Sequence, residues 1–140
     1  MIKSKYMKEN DQLIKVIKYI TKEKIIEYAN ASGDFNPIHI DKDFAKNSQF
    51  GQIIAHGMMI AASISEMMTL NFKNDWIESG KLKLKFKSPV FDKEKIITSG
   101  EINKIKILGT KKEITSSVFV KKESGEVVIS GTASVIQNIN

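Results

Sequence analysis

With 140 residues, 41% of them hydrophobic and 27% charged, the chain has the size and composition of one folded globular domain, residues 1–140. It contains no cysteine, which excludes disulfides, thiolate nucleophiles and cysteine-ligated metal sites. Its net charge is +6, and all of its basic residues are lysines. Nucleic-acid interfaces rely on the forked guanidinium group of arginine, so the lysines are more consistent with a solvated surface than with a nucleic-acid interface.

The first half of the chain is predicted to be helical and rich in loops. Residues 13–20 are rich in apolar side chains and predict an initial strand. Thr21 is a suitable N-cap for a following helix, which Gly33 can end. One face of this helix is built from residues at helical spacing, namely Ile25, Tyr28, Ala29 and Ser32. A polar loop over residues 34–39 comes next, and Asp41 is predicted to cap a short helix.

A strongly apolar segment follows. Residues 58–68 are interrupted only by Ser63, Ser65 and Glu66. Such a segment is too hydrophobic for a surface helix and too short to cross a bilayer, so it predicts a helix buried against a sheet on most of its circumference. Lysines also interrupt the first apolar residues, which argues against a secretion signal. We therefore expect no membrane partner and a cytoplasmic location.

The second half of the chain is predicted to form the sheet. Residues 81–87 alternate strictly between lysine and the apolar Leu82, Leu84 and Phe86. After a turn at Asp92-Lys93, three further strands are predicted over residues 95–108, 113–122 and 126–136. Ser124-Gly125 is a good hairpin connection for the last two. This order of elements predicts an α+β domain in which an antiparallel sheet wraps one long helix.

Residues that can carry chemistry are concentrated in the polar loop. Asp34 and His39 place a carboxylate and an imidazole five residues apart, with Pro37 between them. Proline cannot continue the preceding helix, so this is a shaped loop. The two groups can share one water molecule, one taking a proton and the other handing one on. Taken singly, each residue fits a plain turn or packing role; the nearby His56 favours a site without deciding it.

These residues belong to a longer motif. Residues 28–39 (YANASGDFNPIH), with Asp41, Phe44 and Ala45 and then His56-Gly57-Met58, resemble the hydratase motif of the MaoC-like dehydratases and (R)-specific enoyl-CoA hydratases. The resemblance continues without gaps to residue 65 and includes nearly every characteristic position. It implies a hot-dog fold, in which a curved antiparallel sheet wraps a long central helix, and an assembly that is usually a homodimer.

The resemblance also implies catalytic roles. The aspartate and histidine that match Asp34 and His39 activate the water that adds to a trans-2-enoyl thioester. Gly57 matches a glycine at the start of the central helix whose backbone N–H binds the thioester carbonyl. A helix N-terminus suits that task because it offers free N–H donors and a favourable dipole to the developing oxyanion. A simple tight turn into the helix is compatible with the same glycine.

Three further residues are expected to support the site. Asn36 matches an asparagine of the family and is assigned to holding the loop, and His56 is expected to shape the loop rather than react. Ser65 matches a serine that hydrogen-bonds the catalytic groups from the central helix, with a bond to its own helix as the open alternative. Gln52-Ile53 stand where many relatives carry a basic residue and a proline, which leaves the contact to the thioester carrier open. No metal and no cofactor is expected.

The function implied is that of an (R)-specific enoyl-CoA hydratase or, in reverse, a 3-hydroxyacyl-CoA dehydratase, with an acyl-CoA thioester as its partner. One alternative is a dehydratase acting on acyl carrier protein thioesters, which differs in carrier and not in chemistry. A thioesterase would not require this Asp/His loop, and a non-catalytic module that binds acyl-CoA or nucleic acid would not require the full set of motif residues. Acyl chain length, direction and pathway stay open.

Overall fold

The computed structural model describes residues 6–139. Its strands are Val16–Tyr19 (β1), Lys81–Phe86 (β2), Lys95–Leu108 (β3), Lys111–Lys122 (β4) and Val127–Asn138 (β5). They form one antiparallel sheet in the order β1-β3-β4-β5-β2. The helices are Lys22–Ser32 (α1), Pro37–Ile40 (α2), Lys42–Lys46 (α3), Gly57–Phe72 (α4) and Asn74–Ser79 (α5). The predicted α+β class, with one long helix against an antiparallel sheet, is confirmed.

Helix α1 begins and ends where its capping residues predict. The Thr21 hydroxyl accepts a hydrogen bond from the Lys24 N–H at 3.2 Å. Gly33 ends the helix in the left-handed conformation with φ 77°, and its N–H bonds to the Ala29 carbonyl at 2.9 Å. A residue without a Cβ adopts this conformation at little cost. The chain therefore leaves α1 sharply, and Asp34 follows directly after the turn.

The polar loop is shorter than predicted. Residues 34–36 are irregular, but Pro37–Ile40 forms one helical turn, so the expected loop over residues 34–39 is wrong in its second half. Pro37 stands at the start of this turn, where its missing N–H costs no intrahelical bond. The Asn36 side chain caps the turn by accepting from the Ile38 N–H at 3.2 Å. His39 is thus held on a helical turn.

Helix α4 packs one face against the sheet. Its buried apolar side chains lie at helical spacing and contact residues of β3, β4 and β5: Ile60, Ile64, Met67, Met68 and Phe72. On the opposite face Met58 is 64% exposed and Leu70 is 37% exposed. Over residues 58–68 only Met58, Ala62 and Glu66 are exposed, so the expected burial on most of the circumference is confirmed for that segment.

Buried polar groups fix the position of α4 over the sheet. The Ser63 hydroxyl donates to the Ile60 carbonyl at 2.7 Å and lies 2.7 Å from the Thr98 hydroxyl of β3. Near the end of the helix, Asn71 accepts from the Ile14 N–H at 2.9 Å. Paired groups of this kind are costly to leave unpaired, so they set both the rotation and the height of α4.

Both edges of the sheet differ in detail from the prediction. The first strand is limited to Val16–Tyr19, whereas the apolar pattern extends over residues 13–20. Strand β2 lies at the other edge, beside β5, and its apolar residues Leu82 and Phe86 are 40% and 53% exposed. Alternation therefore predicted the strand correctly but not the exposure of its apolar face. Within residues 6–139, no helix has the length and hydrophobicity that crossing a bilayer requires.

Candidate active site

The turn after α1 fixes Asp34. Its carboxylate accepts a hydrogen bond from the Asn36 N–H at 3.1 Å, and its own N–H donates to the Ser32 hydroxyl at 3.1 Å. An aspartate that bonds the backbone two residues ahead stabilises a turn and loses freedom of its own. The side chain is exposed in the single chain. Asp34 therefore offers a partly oriented carboxylate oxygen to solvent.

His39 is buried and is oriented by a backbone carbonyl. Its ring Nδ1 lies 2.7 Å from the Ile54 carbonyl oxygen, and the residue is 8% exposed. A carbonyl oxygen can only accept, so Nδ1 carries the hydrogen in the neutral ring. The lone pair is then on Nε2. This contact prepares His39 to take a proton at Nε2.

His56 connects the two expected catalytic residues. Its ring stacks on that of His39, with centroids 3.9 Å apart and planes 24° apart. Its Nε2 lies 2.9 Å from the Asp34 backbone carbonyl, to which it must donate. Tyr28 packs on the His56 ring at 4.8 Å, and His56 itself is 1% exposed. Through these contacts His56 links the Asp34 backbone to the ring of His39.

The structure brings Asp34, His39 and His56 together. One nitrogen or oxygen atom from each lies within 4.8 Å of the others. The two imidazole rings are stacked with planes 24° apart, an arrangement that disfavours convergence of their in-plane lone pairs on one ion at the distance of about 2 Å that zinc requires. A separation of this size instead suits a water molecule held between a carboxylate and an imidazole. The cluster can therefore support acid/base chemistry on one water molecule.

A pocket of about 280 Å³ opens beside this cluster. It is lined by His39 and Gly57, by residues of the 50–55 segment, and by apolar side chains that include Ile60, Phe86 and Ile129. Gly57 is the first residue of α4, where backbone N–H groups have no partner in the helix. A Cβ added there would lie 3.2 Å from the Phe86 ring. The glycine thus leaves space at the start of α4 in a largely apolar pocket.

Two residues of this arrangement have no sequence signal. Ile54 acts through its backbone carbonyl, which any residue could supply. Phe86 belongs to a regular alternating strand, and only the pairing of β2 with β5 brings its ring to Gly57. The position of Phe86 at the end of the alternating strand does not indicate that its ring lies in a pocket. Both contacts depend on how distant segments pack.

Ser65 is not brought to the catalytic cluster. Its hydroxyl accepts a hydrogen bond from the Trp76 indole N–H at 3.0 Å, and its carbonyl accepts from Thr69. Within residues 6–139, no hydrogen bond joins Ser65 to Asp34 or His39. Eight residues of helix place Ser65 about 12 Å further along α4 than Gly57. The expected contact to the catalytic groups is therefore not found, and the serine instead joins α4 to α5.

Replacement of Ser65 by alanine is expected to lower the free energy of unfolding by about 1 kcal/mol, because the indole N–H of the buried Trp76 loses its acceptor. Urea denaturation measures this. The cost should be smaller in a Trp76→Phe background, which lacks the donor. Hydration kcat should change by no more than about twofold. A large loss of kcat with normal stability would instead indicate that Ser65 supports the catalytic residues.

Comparison with known proteins identifies relatives of one family. A family model described as MaoC like domain matches residues 4–124. An (R)-specific enoyl-CoA hydratase of Rhodospirillum rubrum is 30% identical over 125 residues, which cover 89% of this chain and 85% of that protein. A mitochondrial 3-hydroxyacyl-[acyl-carrier-protein] dehydratase of Arabidopsis thaliana is 27% identical over 138 residues, 96% of this chain and 81% of that protein. The relatives' names are those of hydro-lyases, the enzyme class expected from the sequence.

The same architecture is present among solved structures. The (R)-hydratase of A. caviae superposes with a TM-score of 0.81 at 21% identity, covering 95% of this chain and 98% of that one. At this sequence identity, the similarity is evidence for a shared fold alone. It confirms the hot-dog fold expected from the sequence.

Proposed function

Because the chain belongs to the family of MaoC-like domains, we propose that it is a hydro-lyase that reversibly adds water to a trans-2-enoyl thioester, with Asp34 and His39 as the acid/base pair. One observation carries the proposal. His39 donates through Nδ1 to the Ile54 carbonyl, which leaves Nε2 as a base, and His39 and Gly57 line the same pocket. Asp34 offers its carboxylate to the same cluster.

In the proposed step, the Asp34 carboxylate and the His39 Nε2 hold one water molecule. As the water oxygen bonds to Cβ of the enoyl group, one member of the pair accepts the proton that the water loses. The other delivers a proton to Cα, and a transfer between them restores the starting state. The product is a 3-hydroxyacyl thioester, and the reverse sequence is the dehydration. The step uses no cofactor, and general acid/base catalysis of this kind typically contributes about 10²- to 10⁴-fold.

Gly57 is proposed to stabilise the charge that this addition creates. When water attacks Cβ, negative charge moves to the thioester oxygen. A free N–H at the start of the 16-residue helix α4 can bond that oxygen, and the helix dipole favours negative charge there. The surrounding side chains are mostly apolar, and an apolar environment strengthens such an interaction. Gly57 therefore acts through its backbone.

Two side chains are proposed to position the pair. Asn36 caps α2 and so holds the turn that carries His39. His56 donates to the Asp34 carbonyl while its ring supports that of His39. Both roles are structural support for groups that react, and neither residue is assigned a proton-transfer step. Loss of either would disturb the distance between the carboxylate and the imidazole.

We propose coenzyme A as the carrier of the thioester and the cytoplasm as the location. Relatives named for coenzyme A and for acyl carrier protein substrates are nearly equal in identity to this chain, so a dehydratase acting on acyl carrier protein is the second candidate. The assembly we propose is a homodimer. Apolar side chains exposed on the edge strand β2 and on α4, namely Leu82, Phe86, Met58 and Leu70, support it.

The direct test is hydration of crotonyl-CoA, followed by the loss of enoyl thioester absorbance, with chiral analysis of the 3-hydroxybutyryl product. We expect turnover to the R enantiomer. Faster turnover of crotonyl-acyl carrier protein would support the second candidate. Release of free thiol from saturated acyl-CoA would point to a thioesterase. Binding of acyl-CoA without hydration of either substrate would contradict the proposal and leave a binding module.

A further inference from the structure

A second pocket lies outside the catalytic cluster and is dominated by lysine. It has a volume of about 440 Å³, within the range of small-molecule sites. Three lysines line it, Lys22 at the start of α1 and Lys42 and Lys46 on α3. Its other lining residues are Gly51, Gln52, Ile53 and Asp92. We call this site the lysine pocket.

The charges of the lysine pocket are not balanced. None of the three ammonium groups has a hydrogen-bond or ion-pair partner within residues 6–139. Asp92 is the one carboxylate among the lining residues, and one of its oxygens already accepts from the Lys22 backbone N–H at 2.8 Å. By contrast, lysines elsewhere form ion pairs with glutamates: Lys18–Glu66 and Lys122–Glu94. The pocket therefore contains three ammonium groups and one carboxylate. Its net positive charge attracts anions.

The lysine pocket and the catalytic pocket share a wall. Ile53 lines the lysine pocket, and the next residue, Ile54, lines the catalytic pocket and holds His39 through its carbonyl. Helix α3, which carries two of the lysines, follows α2, which carries His39, with Asp41 between them. A ligand that crosses the 51–55 segment therefore has one end at the lysines and the other at the catalytic cluster.

We propose that the lysine pocket binds the phosphate groups of coenzyme A, the 3′-phosphate and the diphosphate, while the acyl thioester lies in the catalytic pocket. This rests on the proposed function. A concave site with the buried Ile53 in its wall suits a nucleotide, which needs apolar contact as well as positive charge. The acidic surface of a carrier protein would instead need a protruding or flat basic patch. The site thus favours coenzyme A as carrier.

The test compares two variants with the same change in charge. Lys22, Lys42 and Lys46 are replaced together by glutamine in the first. In the control, three exposed lysines at the far end of β3 and the start of β4 are replaced instead: Lys104, Lys106 and Lys111. Both variants should fold, because all six side chains are exposed. Any effect of net charge alone appears equally in both.

Binding of coenzyme A to each protein is measured by calorimetry at low and at moderate salt. The Lys22/Lys42/Lys46 variant should bind coenzyme A at least about 10-fold more weakly than the wild type, and its binding should depend less on salt. The control variant should stay within about twofold of the wild type. In steady-state kinetics, the Lys22/Lys42/Lys46 variant should have a raised KM for crotonyl-CoA. Its KM for crotonyl-pantetheine, which lacks these phosphates, should equal that of the wild type.

Each outcome separates this proposal from the proposed function. If the protein binds coenzyme A through the three lysines but hydrates no enoyl thioester, the lysine pocket stands and the catalytic role fails. If it hydrates crotonyl-CoA and the lysine variant binds coenzyme A like the control, the lysine pocket is overturned and the catalysis stands. A loss caused by Lys87→Gln alone would place the phosphates at the catalytic pocket and also overturn it.

Discussion

Asp34→Asn and His39→Ala are each expected to lower kcat for crotonyl-CoA hydration by about 10²- to 10⁴-fold. Asparagine keeps the shape of the carboxylate but cannot accept the proton of water, and alanine removes the base altogether. The groups act in the transition state, so the loss should fall on kcat more than on KM. Steady-state kinetics on enoyl-CoA measures both constants.

Loss of folding has to be separated from loss of chemistry. His39→Ala removes the donor that faces the Ile54 carbonyl, and His39→Gln offers an amide in its place. Asp43→Asn removes the same charge from an exposed aspartate on α3 and should leave kcat near that of the wild type. Circular dichroism and urea denaturation check that each variant is folded. Near-normal turnover of both Asp34→Asn and His39→Gln would remove the basis for the proposed pair.

Gly57→Val is expected to lower kcat/KM by about 10²-fold, because misplacement of a substrate by about an ångström has effects of this size. A Cβ at this position alone would lie 3.2 Å from the Phe86 ring, which is closer than most Cβ contacts in proteins. Valine adds two further carbons on the wall of the catalytic pocket. The backbone N–H remains, so the loss reports obstruction of the thioester rather than loss of the donor.

A graded series tests this interpretation. Gly57→Ala should lose less activity than Gly57→Val, because the half-exposed Phe86 ring can move by a few tenths of an ångström. Phe86→Leu should restore part of the loss, as expected for residues in contact. Ala62→Val adds bulk to an exposed position on the same helix and serves as the control. Equal activity in Gly57→Val and the wild type would exclude a thioester bound against the Gly57 amide.

The boundaries of several elements follow from local residue chemistry. Thr21 and Gly33 set the ends of α1 through a hydroxyl acceptor and a left-handed turn. The alternation of lysine with apolar residues marks β2 because a strand turns successive side chains to opposite faces. Where the prediction was wrong, at Pro37–Ile40, the same proline that ends one helix also begins another turn. Pattern alone does not decide between those two roles.

The residues assigned to the site that are close along the chain also lie close together in the structure. Asp34, Asn36 and His39 lie within six positions, and the chain geometry between them leaves few ways to separate them. His56 was recognised as belonging to the motif, but its stacking on His39 joins segments that only the fold brings together. The Ser65 hydroxyl has a partner that was not expected, because motif position carries no information about which neighbour a hydroxyl meets. Its actual neighbour, Trp76, lies on a helix that was not predicted.

The sequence by itself determined the fold class, the catalytic candidates and the enzyme class, because periodicity, capping residues and a dense local motif are properties of short segments. Only the tertiary structure decided which His39 nitrogen is free, which side chains lie beside Gly57 and which lysines form a pocket. These depend on contacts such as Ile54 with His39 and Phe86 with Gly57. Residues far apart in the chain meet only when the sheet and α4 bury their shared core, and no local pattern encodes that meeting.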